Sequence, residues 1–150
     1  MLLNLNQEGE KFDFFNSTVN PQTLDVDYDE PVKDGPWMIL KPGQAFWEKK
    51  LASRTKKVEH VLNPKTRQME RNTFYPELSP ADEKKEREEF WDYCIVDFGG
   101  FKDQNGKVLK VTKETKVAMV KVPVVERFIT RCFQIIGTAE VAAKEAEEKN

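Results

Sequence analysis

The sequence has few of the residues from which metal centres and nucleophilic catalytic sites are built. Its 150 residues include two cysteines and one histidine. Cys94 and Cys132 lie in separate apolar segments, and no Ser or Cys nucleophile lies near His60, so neither a zinc-binding spacing nor a catalytic dyad is recognisable. We expect a protein that is not an enzyme, with no catalytic residue, metal ligand or cofactor. The 26 acidic residues leave a catalytic carboxylate pair as the open alternative.

Long apolar runs are also missing. No run approaches the ~20 residues that a membrane-spanning helix requires, and the first ten residues, MLLNLNQEGE, lack the basic and apolar regions of a secretory signal. Hydrophobic residues make up 39% of the chain and charged residues 33%, a balance that supports a folded, highly charged domain. Two cysteines among apolar residues favour reduced thiols, so we expect a cytoplasmic protein away from membranes.

Charge is distributed unevenly along the chain, although the net charge is only −2. Residues 1–34 carry −6, residues 35–75 carry +6, residues 76–100 carry −5 and residues 101–150 carry +3. Alternating blocks of this kind are typical of solvated surfaces that complement one another within a chain or between chains.

The basic block supports one alternative function, a nucleic-acid-binding module that uses a basic β-hairpin. Lysine and arginine side chains neutralise phosphates, and Trp47 and Phe74 could stack on bases. Against this alternative, the sequence pI is about 5.6, and Glu48, Glu59 and Glu70 interrupt the block. The residues that would bind nucleic acid are Lys49, Lys50, Arg54, Lys56, Lys57, Lys65, Arg67 and Arg71.

The organisation expected from the sequence is an α+β protein with an acidic N-terminal extension. Residues 1–34 have isolated aromatics and closely spaced acids that would repel one another in a packed strand, which favours a partly disordered arm whose aromatics dock on the body or on a partner. Residues 35–150 are expected to form one domain. A small antiparallel β-sheet in the N-terminal half, residues 35–76, precedes a helical C-terminal half, residues 77–146, and a short mobile tail.

Two strands and one hairpin are predicted in the β portion. Trp37–Leu40 is a short apolar run closed by Pro and Gly, the pattern of a buried strand. The aromatic pair Phe46 and Trp47 suggests a second strand reaching Ala52. Residues 56–62 and 67–74 flank a turn that contains Asn-Pro, so they predict a hairpin with one partly apolar face.

Cap and turn residues divide the helical half. Ser79 followed by proline and two acids predicts a helix start, and this helix should bury itself from Phe90 onward and stop at Gly99-Gly100. Asn105-Gly106 predicts a turn. Thr112 can cap a short helix that must end before Pro123.

The last helix is the clearest element of the sequence. Its apolar residues recur with helical spacing at Val125, Phe128, Ile129, Cys132, Phe133 and Ile136. After Gly137 the bulky apolar residues cease, so the helix is expected to fray. We predict one core cluster composed of Trp91, Cys94, Phe128, Ile129, Cys132 and Phe133.

Residues 91–136 resemble the C-terminal part of the tail assembly chaperones of long-tailed bacteriophages. The matching features are Trp91-Asp92-Tyr93, Val96-Asp97-Phe98-Gly99-Gly100, Asp103-x-Asn105-Gly106-Lys107, Val108-Leu109, Thr112-Lys113-Glu114 and the apolar helix beyond. The strand Trp37–Leu40 and the basic hairpin also look like the β portion of some of these proteins. The acidic N-terminal segment is a departure from the family.

The resemblance implies a small, non-enzymatic helper in the host cytoplasm. Such a chaperone coats the long, aggregation-prone tape measure protein until tail-tube subunits replace it, and it is expected to work as an oligomer. A structural subunit of a phage particle is a further alternative. The family supplies no catalytic residues and no fixed binding motif. We infer a partner-binding set from the aromatic and apolar residues of this region, Trp91, Phe98, Phe101, Val125 and Phe128.

Overall fold

The computed structural model describes the backbone of residues 9–148 and side chains as far as residue 138. It confirms an α+β architecture with small antiparallel sheets. In chain order the described elements are β1 (Glu10–Asp13), β2 (Ser17–Val19), β3 (Val26–Tyr28), β4 (Trp37–Leu40), α1 (Gln44–Ser53), β5 (Lys57–Leu62), β6 (Met69–Phe74), α2 (Pro80–Cys94), β7 (Ile95–Gly99), α3 (Lys113–Val120) and α4 (Pro123–Glu148).

The chain divides into two compact units. Met1–Gly43 and Glu88–Asn150 together form the first, which we call the core unit, and Gln44–Arg87 forms the second, the inserted unit. This grouping differs from the expected division into an arm and a following domain. The difference arises because β1 and β4 from the first segment of the core unit pair in one sheet with β7 from its second segment. Such long-range pairing leaves no local signal in the sequence.

The main sheet of the core unit has the strand order β1-β4-β7 and is antiparallel throughout. Its central strand, β4, alternates as expected for a sheet that is covered on one face. Met38 and Leu40 are fully buried, whereas Trp37 and Ile39 are only partly buried. The predicted buried strand at this position is therefore confirmed.

The prediction that the helix starting at Ser79 continues to Gly99-Gly100 is wrong. Helix α2 ends at Cys94, and the next five residues form β7, which pairs with β4. Both glycines serve the strand instead. A Cβ atom on Gly99 would lie 2.7 Å from the ring of Trp37, and Gly100 has a φ of +79°, a conformation that favours glycine.

The two C-terminal helices begin where the sequence indicates. The Thr112 side chain accepts a hydrogen bond from the backbone N–H of Thr115 at 3.2 Å and caps α3, as predicted. The apolar stripe of α4 is also confirmed. The α4 backbone is helical to Glu148, in agreement with a helical portion that extends to residue 146, and the fraying expected after Gly137 stays a prediction. Alanine, glutamate and lysine have high helix propensity, which outweighs the ~1 kcal/mol cost of one glycine.

The core lies between the main sheet, α4 and the N-terminal segment. Of the six residues predicted to cluster, Phe128, Ile129 and Cys132 belong to the buried cluster, and Trp91 and Phe133 pack against it. Cys94 is buried as well but lies outside this cluster. The remaining buried members are Phe15, Met38, Leu40, Ile95, Phe98, Met119, Val120 and Val125.

The N-terminal segment is tied to the core unit by aromatic contacts and hydrogen bonds. The rings of Phe14 and Phe15 lie 5.0 and 4.9 Å from the ring of Phe128, which confirms that aromatics of this segment dock on the body. The Arg127 side chain donates to the Ser17 hydroxyl from Nε at 2.7 Å and to the Ser17 carbonyl oxygen from Nη2 at 3.2 Å. These bonds fix β2 to α4, and β2 pairs with β3 in a separate two-stranded antiparallel hairpin.

The inserted unit contains α1, the β5–β6 hairpin and the N-terminal part of α2. The strand predicted from Phe46 to Ala52 is wrong, because Gln44–Ser53 is helical; the helix formers that follow the aromatic pair outweigh its strand propensity. The predicted hairpin is confirmed, with Asn63 in its turn accepting from the backbone of Lys65 at 2.9 Å. The predicted helix start is confirmed by a 3.2 Å bond from the Asp82 N–H to the Ser79 hydroxyl.

Candidate protein-binding surface

Exposed apolar side chains are concentrated in the inserted unit. This unit contributes none of the buried residues of the described chain, yet it carries eight of the fifteen exposed large apolar side chains. They are Trp47, Leu51, Val58, Val61, Leu62, Met69, Phe74 and Tyr75. Because solvent exposure of apolar surface is unfavourable, such a concentration marks a candidate surface for binding another protein.

The hairpin register separates two faces of different chemistry. All twelve strand residues are exposed, including those of the face that the sequence predicts to be partly apolar. Cross-strand partners share a face, and successive residues alternate between faces. One face, which we call the acid-free face, consists of Val58, His60, Leu62, Met69, Arg71 and Thr73. The opposite face consists of Lys57, Glu59, Val61, Glu70, Asn72 and Phe74.

The eight basic residues proposed for nucleic-acid binding all lie in the inserted unit, but they do not form one stripe. Lys57 and Arg71 are on opposite faces of the hairpin, and Arg54 is paired with Glu86. Lys50 lies over the ring of Phe46, and Lys56 lies over the ring of Tyr75. Lys65 and Arg67 are in the turn and Lys49 is exposed on α1.

The partner-binding set inferred from the sequence lies entirely in the core unit. Phe98, Val125 and Phe128 are buried, and Trp91 and Phe101 are partly buried against the same cluster. Phe14 connects two of them, with its ring 5.4 Å from Phe101 and 5.0 Å from Phe128. Core packing therefore accounts for all five side chains, and their role in binding stays a prediction.

The side chains considered for catalysis lie in different environments, because both cysteines are buried and His60 is exposed. Burial raises the pKa of Cys94 to about 12, with a smaller opposing effect of Lys41. Burial also raises the pKa of Cys132 to about 12; Glu10 adds to this shift and Arg131 opposes it. Both thiols are protonated at neutral pH and are poor nucleophiles. His60 is exposed on β5, opposite Arg71.

Two further properties concern ligands and membranes. Among the described residues, no group of three or more His, Cys, Asp or Glu side chains could hold a metal ion. Within residues 9–148, none of the helices has the length and apolar character needed to cross a bilayer.

An open hollow of about 420 Å³ and another of about 460 Å³ lie in the described part of the core unit. Both mix lysines with carboxylates, so neither provides a site of one charge. The first is lined by Glu88, Lys113, Glu114, Val117, Ala118 and Lys121. The second is lined by Lys11, Asp13, Lys33, Asp34, Gly35 and Trp37.

The structure also shows an acidic surface in the N-terminal segment, at a place where the sequence predicted no strand. Repulsion among closely spaced acids was expected to prevent a strand, but Val26–Tyr28 forms β3. Asp27 in β3 and the flanking Asp25 and Asp29, whose backbones also bond to the segment of β2, alternate onto one side, and all three are exposed. On the other side Val26 is partly buried, and the Tyr28 ring, which is 41% exposed, meets the Phe15 ring edge-on with 5.8 Å between the ring centroids. The i, i+2 spacing of the aspartates was the signal for a strand with an acidic outer face.

Comparison with known proteins gives no relative from which function could be transferred. No protein-family model, no curated protein and no solved structure matches this chain.

Proposed function

We propose that this protein is a non-enzymatic assembly chaperone that binds a long helical partner, the phage tape measure protein, through its inserted unit. The observation that carries this proposal is the contrast within that unit: it exposes eight large apolar side chains and buries none of its residues. Contact with a partner would remove these side chains from water.

The physical chemistry of the hairpin supports a binding role. A two-stranded hairpin is marginally stable by itself in water, and the β5–β6 hairpin has no buried side chain to stabilise it. Contact with an amphipathic helix would remove apolar surface from water at about 25 cal/mol per Å². The hairpin is therefore suited to a partner that it binds reversibly, as a chaperone must.

The choice of partner rests on the resemblance of residues 91–136 to tail assembly chaperones. That resemblance supports a tape measure protein as the client in the host cytoplasm and tail-tube subunits as the molecules that displace the chaperone. The inserted unit supplies the surface, and the core unit supplies the stable scaffold that holds it.

Nucleic-acid binding is the second candidate function. The observation that favours it is the gathering of all eight predicted basic residues in one unit. Phosphate binding would make the affinity fall steeply with salt concentration. Apolar contact with a helix would survive moderate salt and give a negative heat-capacity change.

A pull-down at low and moderate salt tests the proposal. The chain is co-expressed with the tape measure protein, which the resemblance implies is encoded by the neighbouring gene, and the expected result is recovery of that protein at both salt concentrations. Leu51→Asp and Phe74→Ser, which alter exposed apolar side chains of the inserted unit, should reduce recovery at least tenfold. Val108→Ser, at an exposed apolar residue of the core unit, is the matched control and should leave recovery unchanged.

Two results would contradict the proposal. Equal recovery by the inserted-unit variants and the Val108 control would show that the surface is elsewhere. Failure to recover the helical protein, together with salt-sensitive binding of DNA or RNA, would move the function to the nucleic-acid alternative.

A further inference from the structure

We propose that copies of this chain bind one another through two different hairpins: the acid-free face of β5–β6 in one copy receives the acidic side of β2–β3 from another. The occupant of the sheet face is thus a second copy. The argument rests on charge complementarity between two exposed surfaces of the same chain, and it does not depend on the identity of any client.

The receiving face combines apolar and basic groups without a carboxylate. His60 and Arg71 are direct cross-strand partners at its centre, and Leu62 and Met69 form the next pair toward the turn. Leu62 is 56% exposed and Met69 is 63% exposed. Lys65 in the adjoining turn extends the positive charge. Glu59 and Glu70 are on the opposite face, so they do not reduce the positive charge presented here.

The entering surface is the complement of this face. Asp27 lies in β3, and Asp25 and Asp29 lie directly before and after this strand. The backbone bonds from the Asn20 N–H to the Asp25 carbonyl oxygen and from the Asp29 N–H to the Asn16 carbonyl oxygen continue the pairing with β2, and the ~7 Å repeat of alternate residues keeps the three carboxylates on one side and close together. Among the residues that the structure describes, no lysine or arginine forms an ion pair with them. Leu24 lies in the connecting turn with 74% of its surface exposed and gives this hairpin an apolar tip.

Each part of such a contact has a distinct physical role. An arginine fork can bind a carboxylate through two parallel hydrogen bonds, so Arg71 can fix the position of an entering aspartate. Contact of Leu24 with Leu62 and Met69 removes apolar surface from water on both copies. Opposite charge mainly sets orientation and association rate, while the apolar contact adds affinity.

The symmetry of the contact follows from the difference between the two surfaces. One contact of this kind is heterologous and leaves an unused surface at each end, so repetition produces rings or open chains. A reciprocal pair of contacts produces a dimer. Either form predicts association that depends on protein concentration and weakens with added salt, because the charged groups are exposed.

Charge reversal on each surface provides the test. Asp27→Lys with Asp29→Lys reverses the entering surface, and Lys65→Glu with Arg71→Glu reverses the receiving face. The full-length wild-type chain and both double variants are examined by sedimentation velocity over a range of concentrations at low and moderate salt. We expect the wild type to associate, each double variant alone to be monomeric, and an equal mixture of the two variants to associate again.

A matched control and the opposing outcomes complete the experiment. Lys102→Glu with Lys110→Glu reverses two exposed charges elsewhere and should leave association unchanged, and circular dichroism should show the same fold for all variants. A wild-type chain that stays monomeric at every concentration would overturn the proposal. So would association that neither double variant alters, or variants whose mixture fails to associate, which would place the contact within one chain or with another partner.

Measuring both self-association and client recovery on both sets of variants separates this inference from the proposed function. Leu51→Asp and Phe74→Ser lie outside the contact surfaces, so loss of client binding in those variants with intact self-association would leave the present proposal standing. Loss of self-association in the charge variants with intact client recovery would leave the chaperone function standing.

Discussion

The two units of this molecule differ in the solvent exposure of their apolar side chains. The core unit holds every buried apolar residue of the described chain, from Phe15 to Ile136, whereas the inserted unit holds none. The inserted unit nevertheless contains well-formed secondary structure. Regular hydrogen bonding and a buried core are therefore separable here, and we expect stability to reside in one unit and recognition in the other.

The polar contacts of the core unit and those of the hairpin differ in the same sense. In the core unit they join distant parts of the chain: Arg127 donates to Ser17, and the buried Lys116 ammonium donates to the Asp92 carboxylate at 3.0 Å. The inserted unit also has such a contact, between Arg54 and Glu86. In its hairpin, however, the side-chain hydrogen bonds among the described residues are local, such as the 2.6 Å bond from Asn63 to Glu70. Long-range contacts support cooperative folding, so the comparison predicts unequal responses to mutation.

The largest effect is expected at the centre of the core unit. Phe128→Ala should lower the free energy of unfolding by about 3–5 kcal/mol, because the ring is fully buried and contacts Phe14 and Phe15. Urea denaturation followed by circular dichroism measures this change. Val61→Ala in the hairpin is the comparison variant, since its side chain is 46% exposed. Equal losses for the two variants would remove the distinction between the units.

A second effect concerns alkaline pH and is confined to the core unit. Both thiols have a pKa of about 12 in the folded chain and an ordinary value of 9.0. The folded pKa is raised, so stability is fully present below pH 9 and is lost as the pH rises from 9 toward 12. We expect a loss on the order of 2 kcal/mol at pH 10 relative to pH 8. Urea midpoints at the two pH values measure it.

The control for the pH effect is a chain in which Cys94 and Cys132 are both replaced by alanine. Other groups also titrate in this range, so only the part of the loss that disappears in the double variant belongs to the thiols. An identical pH dependence in the two chains would show that thiol burial does not contribute.

A smaller effect is expected where β2 meets α4. Ser17→Ala removes the hydroxyl that accepts from Arg127 at 2.7 Å but keeps the carbonyl oxygen that accepts at 3.2 Å. Loss of one hydrogen bond from a charged guanidinium should cost about 1.5 kcal/mol. Thr18→Ala is the neighbouring control, because Thr18 is exposed on the same strand. Comparable stability of the two variants in urea would indicate that the Arg127 bond contributes little.

Sequence patterns were sufficient where local rules determine structure. The Thr112 cap, the apolar stripe of α4 and the hairpin around Asn63 were predicted because caps, helical periodicity and turn residues act within a few positions. The α+β class followed from these elements. The Gly99-Gly100 pair was recognised as a boundary but attributed to a helix, since its close approach to Trp37 depends on pairing with β4.

The remaining features depend on long-range contacts. Strands β1 and β7 have little local signal and exist through pairing with β4. The same limitation applies to the candidate surface. The sequence identified the basic residues near the hairpin but not the acid-free face, because the face is defined by which residues of β5 and β6 lie opposite one another. A binding role was predicted for aromatic residues such as Phe98, but packing in the core accounts for their presence.

The smallest effect on stability is expected in the hairpin itself, and it completes the comparison. Leu62→Thr should change the free energy of unfolding by less than about 0.5 kcal/mol, because the side chain is exposed and borders no buried residue in its own strand. The threonine hydroxyl keeps strand propensity while reducing apolar surface. The same substitution should weaken self-association, since Leu62 lies on the receiving face. A stability loss of several kcal/mol would instead show that the hairpin is part of the folding core, and the separation of stability from recognition would then fail.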